Sequence, residues 1–377
     1  MEGIAITHIG IEDLAEEEIK AVINKDAKED FAALTFPIDD LKELCTLCYK
    51  ARLLQSVMLK IAEFRLKDPE DVKQVDTSLF EKWIPGDKTF AVRCRRVGEH
   101  IFGSQEVEQE LGELIFERLK RKVDLESPDI TVLAYVIRDK CYIGIDFAGV
   151  DLSKREYKIF SLGESLKGTT AQAMNCIAGI GKDQTILDPF ASSGMFSIEA
   201  ALYLQDKSVH FYNKDDFAFL RLPAMEGEDF EKFFEAEDKK IKEDKLGLFC
   251  SDYLQRNVRS AEKNAKIAGV NKMIRFSRLD IEWLDTKFEE GSVDRIVAHP
   301  PQVSKRTKPE QIVKLLDELL YVSKLIVDDK GKIVILFNRP EMLDKSMEKH
   351  GFRKEKTVEL WQGKVCLHIL VLVKGLI

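Results

Sequence analysis

The stretch Asp188-Pro189-Phe190-Ala191-Ser192-Ser193-Gly194-Met195 decides how this chain folds. It follows a strand-like run at 185–188 and opens a helical pattern at 194–204. An aspartate at a strand end, a turn of small residues and a helix with free first N–H groups form a unit suited to a ligand. Outward from it the same grammar repeats. Residues 246–250, 273–277, 293–298 and 332–337 read as strands, and 253–268 (stopped by Gly269) and 309–327 as helices. Residues 355–361 and 365–373, around Gln362-Gly363, read as a hairpin. Repeated strand–helix units closing on such a hairpin predict an α/β, doubly wound, Rossmann-like sheet with an antiparallel member near its edge.

In such a sheet, ligands bind beyond the carboxyl ends of the strands, where the strand order reverses. The first strand is followed by Asp188, Pro189, Phe190, Ala191, Ser193 and Gly194. The second is followed by Ser251-Asp252, a carboxylate placed to accept from ribose hydroxyls. After the third come Asp280 and Ile281, placed to meet an adenine amino group and cover its ring; after the fourth comes His299-Pro300-Pro301-Gln302. A lone aspartate after a strand is ordinarily a turn or helix cap. The order and spacing of all four together are far more specific.

Upstream, the pattern is that of two small α+β units. In 1–80, residues 4–9 and 57–64 read as strands and 11–23 and 41–54 as helices. A turn at Trp83-Ile84-Pro85-Gly86-Asp87 opens the second unit, with strands at 89–96, 130–137 and 140–147 and a helix at 104–122 that Ser104 is placed to cap. The charged stretch 226–245 reads as a solvated helical insertion.

The four post-strand motifs resemble those of the S-adenosylmethionine-dependent class I methyltransferases. Residues 188–194 are similar to the motif written DPFCGSG, Asp252 and Asp280 to the acidic positions, and 299–302 to [DN]PP[YF], the mark of enzymes that methylate exocyclic amino groups. The segment before the first motif, Ser165-Leu166-Lys167, fits as well. Residues 81–157, above all Asp151-Leu152-Ser153-Lys154-Arg155-Glu156-Tyr157, resemble a THUMP domain, and 1–80 the ferredoxin-like domain that precedes it in archaeal and bacterial RNA methyltransferases. The resemblance is closest to the tRNA guanine-N2 methyltransferases. It implies three domains (1–80, 81–157 and 158–377), S-adenosylmethionine as cofactor and the acceptor region of tRNA as partner. It also implies roles. Asp188 and Gly194 would shape the methionine pocket, Asp252 hold the ribose and Asp280 the adenine side. His299, Pro300 and Gln302 would contact the base, with Pro301 helping to fix the backbone.

The motifs depart from the pattern in places. His299 stands where Asp or Asn is usual, and a neutral imidazole accepts one hydrogen bond only. Gln302 replaces the aromatic residue that would stack the base, Ser192 a common glycine, and Met195 a common threonine. Either His299 acts as a base that removes the amino proton, or the chain is a degenerate homologue retained for RNA binding or as a scaffold for a protein partner. An amino methyltransferase of DNA or protein is a third reading, which the THUMP-like segment disfavours.

Composition narrows the classes further. The 377 residues are 45% hydrophobic and 33% charged, which excludes general disorder. No apolar run approaches the length of a membrane span, and the first residues lack the pattern of a secretory leader. Seven cysteines, thinly spread, predict a reducing cytoplasm rather than a disulfide framework. Cys45 and Cys48 form one CxxC with no second pair, and the six histidines show no metal-ligand spacing, so no metal is expected. No phosphate-binding Walker loop or nucleophile elbow is present. The net charge of −8 sits mostly in residues 1–80, with 10 Lys/Arg against 17 Asp/Glu. Three basic clusters are candidates for an RNA footprint: Arg93, Arg95 and Arg96; Lys120, Arg121 and Lys122; and Lys305, Arg306 and Lys308. The second lies at a helix end, where cations are favoured by the dipole alone.

Overall fold

The structure, a computed structural model, describes residues 1–161, 166–304, 307–362 and 365–375. The chain divides into two units, Met1–Ser153 with His210–Ala236, and Lys154–Val209 with Glu237–Ile377.

The first unit is built on β1 (Glu2–Ile6), α1 (Glu12–Ile23), β2 (Lys28–Asp30), β3 (Ala33–Pro37), α2 (Lys42–Lys50), β4 (Ser56–Arg65), β5 (Phe90–Val97), α3 (Ser104–Leu119), β6 (Ile130–Ile137) and β7 (Lys140–Asp146). These strands form one seven-stranded sheet in the order β2-β3-β1-β4-β7-β6-β5. Strand β1 is apolar almost throughout because it is central and covered. Residues 1–80 and 81–157 both contribute strands. They are joined where β4 pairs antiparallel with β7, from Met58 opposite Asp146 to Arg65 opposite Lys140. Helix α3 packs on β5 through Val107, Leu111, Ile115 and Leu119, the stripe that the periodicity predicts. Its cap differs from expectation: the cap position is Gly103, whose N–H donates to Glu106 at 2.6 Å. Ser104 is the first helical residue, and its hydroxyl accepts from Arg96 Nε at 3.1 Å. Cys45 and Cys48 lie buried in α2, and burial pushes both thiols up.

The second unit holds α4 (Gly168–Ala178), β8 (Thr185–Asp188) and α5 (Met195–Leu204). The chain then runs through α6 (Phe230–Asp238), β9 (Gly247–Asp252), α7 (Gln255–Ile267), β10 (Ile274–Arg278), β11 (Val293–Ala298), α8 (Pro309–Ile326), β12 (Val327–Phe337), α9 (Asp344–His350), β13 (Phe352–Gln362) and β14 (Val365–Lys374). The sheet order is β10-β9-β8-β11-β12-β14-β13. The first five strands are parallel, and β14 and β13 are antiparallel. From β8 the chain moves to β9 and β10 on one side, then returns to β11 on the other. The order therefore reverses between β8 and β11, which places a crevice beyond Asp188 and Ala298. Part of the hairpin's turn, at Gly363, and Ser165 of the upstream motif lie outside the described residues.

The insertion at 226–245 is not simply solvated. Phe234 of α6 packs on Tyr49 at 5.0 Å, and Phe219 on Phe230 at 5.1 Å. Segment His210–Ala236 thus belongs with the first unit, although it interrupts the chain of the second. Its charge conceals phenylalanines at 230, 233 and 234, which give one apolar face at helical spacing.

Candidate active site

Strand β8 ends on Asp188, which is 3% exposed. Its Oδ1 accepts from Phe190 N at 3.1 Å and its Oδ2 from Ser197 Oγ at 3.3 Å. Burial outweighs these bonds and, with the charge of Asp252 adding to it, pushes the carboxyl up to about 7. The turn that follows is pinned to β9, where Ala191 N donates to Ser251 O at 2.8 Å. Ser192 and Gly194 adopt φ of +46° and +79°. At Gly194 a Cβ would lie 2.8 Å from Ala261 Cβ of α7. The close approach that demands glycine is thus made by a helix of the chain itself.

Asp252, at the end of β9, is 5% exposed. It accepts from Ser192 N at 3.1 Å, Leu254 N at 2.9 Å and Asn257 Nδ2 at 3.0 Å. A carboxylate has about four acceptor sites, so capacity for a further donor remains. Asp280 is exposed and caps a short 3-10 turn by accepting from Ile281 N at 2.7 Å. Ile281, expected over an adenine ring, is 5% exposed and packs in the core with Leu187 and Leu284.

His299 follows β11. Its ring is half-buried and makes no hydrogen bond among the described residues. Burial pushes the imidazole down to about 4, so it is neutral at physiological pH. His299 and Asp188 line one small cavity of about 20 Å³ with Phe190, Ser193, Met174 and Val297, room for about one water. Pro300 is buried and Pro301 exposed. Gln302 turns inward. Its Nε2 donates to Pro300 O at 2.7 Å and Leu336 O at 3.1 Å, and its Oε1 accepts from Asn338 N at 2.8 Å. Asn338 Nδ2 donates in turn to Val303 O at 3.2 Å. No sequence motif marked Asn338, which reaches the loop only because β12 lies beside β11.

The basic clusters separate by what their side chains do. Arg96 donates to Phe102 O and Ser104, Arg93 to Leu125 O, and Arg121 Nε to Ile84 O at 3.2 Å. These three arginines brace the first unit. Lys120 follows the helix end and pairs with Glu117 at 2.6 Å. Arg95 and Lys122 are exposed. Arg93 and Arg95 also line a cavity of about 660 Å³ with Arg221, Glu108 and Asp146. Arg221 was not a sequence candidate; it arrives on the segment that folds back onto this unit, held by Ala218 N to Ala148 O at 3.1 Å. Lys308 is exposed at the cap of α8, where the dipole disfavours a cation, so helix electrostatics do not explain it. Lys305 and Arg306 lie outside the described residues.

Comparison with known proteins places this geometry in a family. Residues 155–367 match the RMKL-like methyltransferase domain, and residues 67–146 match the THUMP domain. The tRNA (guanine(6)-N2)-methyltransferase of Methanocaldococcus jannaschii is 28% identical over 380 residues, covering 96% of this chain and 97% of that one. The crystal structure of TrmN from Thermus thermophilus superposes with a TM-score of 0.72 at 26% identity, over 99% of each chain. SMU.472, solved in complex with SAH, shares the fold at a TM-score of 0.82 and 19% identity, over 100% of this chain and 98% of that one. No helix among the described residues is long and apolar enough to cross a membrane. A family match across more than half of the chain, on a sheet whose switch point gathers Asp188 and His299, means that the protein belongs to the RMKL-like methyltransferases and carries a THUMP domain ahead of its methyltransferase domain.

Proposed function

We propose that this methyltransferase transfers a methyl group from S-adenosylmethionine to the exocyclic N2 of guanine in tRNA, in the cytoplasm. The observation that carries the reading is His299: a neutral imidazole with no partner among the described residues, on the same small cavity as Asp188 at the switch point. The names of the relatives support the choice of tRNA and guanine-N2. The organisation we favour is a ferredoxin-like domain (1–80), a THUMP domain (81–157) and a catalytic domain (158–377) whose segment His210–Ala236 folds with the first unit.

The donor set fits the cofactor. Asp252 retains acceptor capacity for one ribose hydroxyl, Asp280 offers an exposed acceptor to an adenine amine, and Asp188 is a buried carboxyl that a nearby cation would ionise. When bound, S-adenosylmethionine supplies a methyl group on a sulfonium centre, which leaves as a neutral thioether. The residues of the chain then have two tasks. The first is to orient the amine: a ring nitrogen of His299 accepts one N–H, and Pro300 O, with one lone pair taken by Gln302, keeps another for the second. The second is to take the proton. As the N2–carbon bond forms, the nitrogen becomes strongly acidic and its N–H transfers to the imidazole. A base of low pKa suffices for so strong an acid, and at neutral pH it is always in the accepting form. Positioning supplies much of the remaining rate. Arg95, Arg221, Lys122 and Lys308 are the cations we assign to RNA phosphates, with Lys305 and Arg306 beside the last of them in sequence.

The test is methyl transfer from labelled S-adenosylmethionine into unmodified tRNA, with the product nucleosides identified by mass spectrometry. N2-methylguanosine is expected. A different methylated nucleoside, or none while tRNA is still bound, would overturn the assignment.

A further inference from the structure

The two prolines after β11 create a gap in the sheet. In the parallel pairing of β11 with β12, Ala298 lies opposite Ile335. Carried on by two residues, this register would set Pro300 opposite Phe337. A strand residue there would donate its N–H to Leu336 O and accept from Asn338 N. Pro300 has no N–H to give. The side-chain amide of Gln302 makes both bonds in its place, Nε2 to Leu336 O at 3.1 Å and Asn338 N to Oε1 at 2.8 Å. Its second Nε2 hydrogen goes to Pro300 O at 2.7 Å, which ties the loop to itself.

We propose that Gln302 is a positioning residue: its carboxamide supplies the donor that Pro300 lacks and takes up the N–H of Asn338, and so holds His299 at its cavity. This rests on the function proposed above. Both donors of Gln302 are committed inside the protein, so none is left for a target base. The residue therefore acts through His299 and Pro300 rather than on the substrate. It differs from the aromatic residue of the related motif in role as well as in chemistry.

Three variants test this against wild-type enzyme with S-adenosylmethionine and tRNA. Gln302→Leu keeps the approximate volume and loses every bond; kcat is expected to fall ten- to a hundredfold, with KM for either substrate within threefold. Gln302→Glu separates a bonding role from a packing one. A protonated carboxyl regains one donor for Leu336 O and one acceptor for Asn338 N, whereas a carboxylate has no donor. Its deficit relative to wild type should shrink several-fold between pH 8 and pH 5.5. Gln302→Tyr restores a stacking ring and removes the brace, and should be impaired like the leucine variant. A tyrosine variant as fast as wild type, a loss confined to the KM for tRNA, or a glutamate deficit independent of pH would each overturn the proposal. A measurement without turnover keeps this separate from the choice of substrate. Amide exchange of Asn338, followed by NMR, should quicken at least tenfold in Gln302→Leu while the amides of β9 are unchanged. Unchanged exchange at Asn338 would remove the brace even if the enzyme makes N2-methylguanosine. Quickened exchange in a protein that methylates no tRNA would keep the brace and remove the proposed substrate.

Discussion

The turn 188–194 and the loop 299–302 face the same cavity and are held in opposite ways. The first is fixed through its own N–H groups: Ala191 N donates to Ser251 O of β9, Ser192 N donates to the Asp252 carboxylate, and Gly194 takes a left-handed φ against α7. The second has lost backbone donors to its two prolines and is fixed by one side-chain amide reaching to Leu336 and Asn338. A turn anchored through its own N–H groups tolerates a change of the Ser192 side chain but not of its glycine. A loop held by one amide tolerates changes at its neighbours but not at that amide.

The largest expected effect tests the backbone-held turn. Gly194→Val places a branched side chain at φ +79°, with its Cβ 2.8 Å from Ala261 Cβ. Strain and overpacking together should destabilise the second unit by about 2–4 kcal/mol, measured by urea denaturation, and abolish cofactor binding. A loss below about 1 kcal/mol would mean that the turn adapts and the glycine is incidental. The next effect tests the loop. His299→Ala removes an acceptor that braces nothing among the described residues, so stability and the dissociation constant for S-adenosylmethionine should be nearly unchanged while kcat falls about a hundredfold or more. Equal losses in binding and turnover would show that His299 is structural instead.

This contrast also explains how much was readable in advance. The strand–helix alternation, the terminal hairpin and the aspartates at strand ends follow from local periodicity and from turn chemistry within a few residues. Asp188 and Asp252 are found by those rules because each closes its own strand. Sequence alone suggests a base contact for Gln302, because the partners that occupy its amide lie 34 and 36 residues away and no local pattern names them. Arg221 was missed for a related reason: its segment interrupts the second unit in sequence and folds onto the first. Charge pattern suggests Arg96 as a phosphate ligand because it does not reveal a guanidinium tied to Phe102 O and Ser104. The solvated reading of 226–245 failed because phenylalanines at 230, 233 and 234 are outnumbered by charges around them.

A smaller effect concerns Asp188. Its carboxyl is raised to about 7 by burial, well above its ordinary value of 3.8. The folded protein therefore holds more protons than the unfolded chain between those pH values. The stability this group contributes is complete below about pH 4 and is lost as pH rises through 7. Asp188→Asn, which stays neutral, should match wild type near pH 4 and exceed it by about 2–4 kcal/mol near pH 8. The comparison is the difference between the two proteins in denaturant titrations at each pH. A constant difference would show that Asp188 is ionised throughout. The same carboxyl should couple cofactor to protons: in wild type, affinity for S-adenosylmethionine should rise with pH up to about 7 and then level, and in the variant it should be weaker and flat.

The smallest effect distinguishes braced arginines from free ones in the first unit. Arg95 is exposed on the rim of a cavity it shares with Arg221, and Arg96 is committed to Phe102 O and Ser104. A cation that neutralises a phosphate releases a counterion, worth about 0.7–0.9 in the slope of log affinity against log salt. Arg95→Ala and Arg221→Ala should each lower the slope for tRNA by roughly that amount and leave the melting temperature unchanged. Arg96→Ala should do the reverse, lowering the melting temperature by a few degrees with the slope preserved, because what it loses is two bonds within the protein. Should Arg96→Ala change the slope and Arg221→Ala not, the RNA would follow the sequence cluster, and the cavity would not be its seat. The charge pattern identified which residues are cationic. Whether each guanidinium is occupied decides which of them is available to RNA.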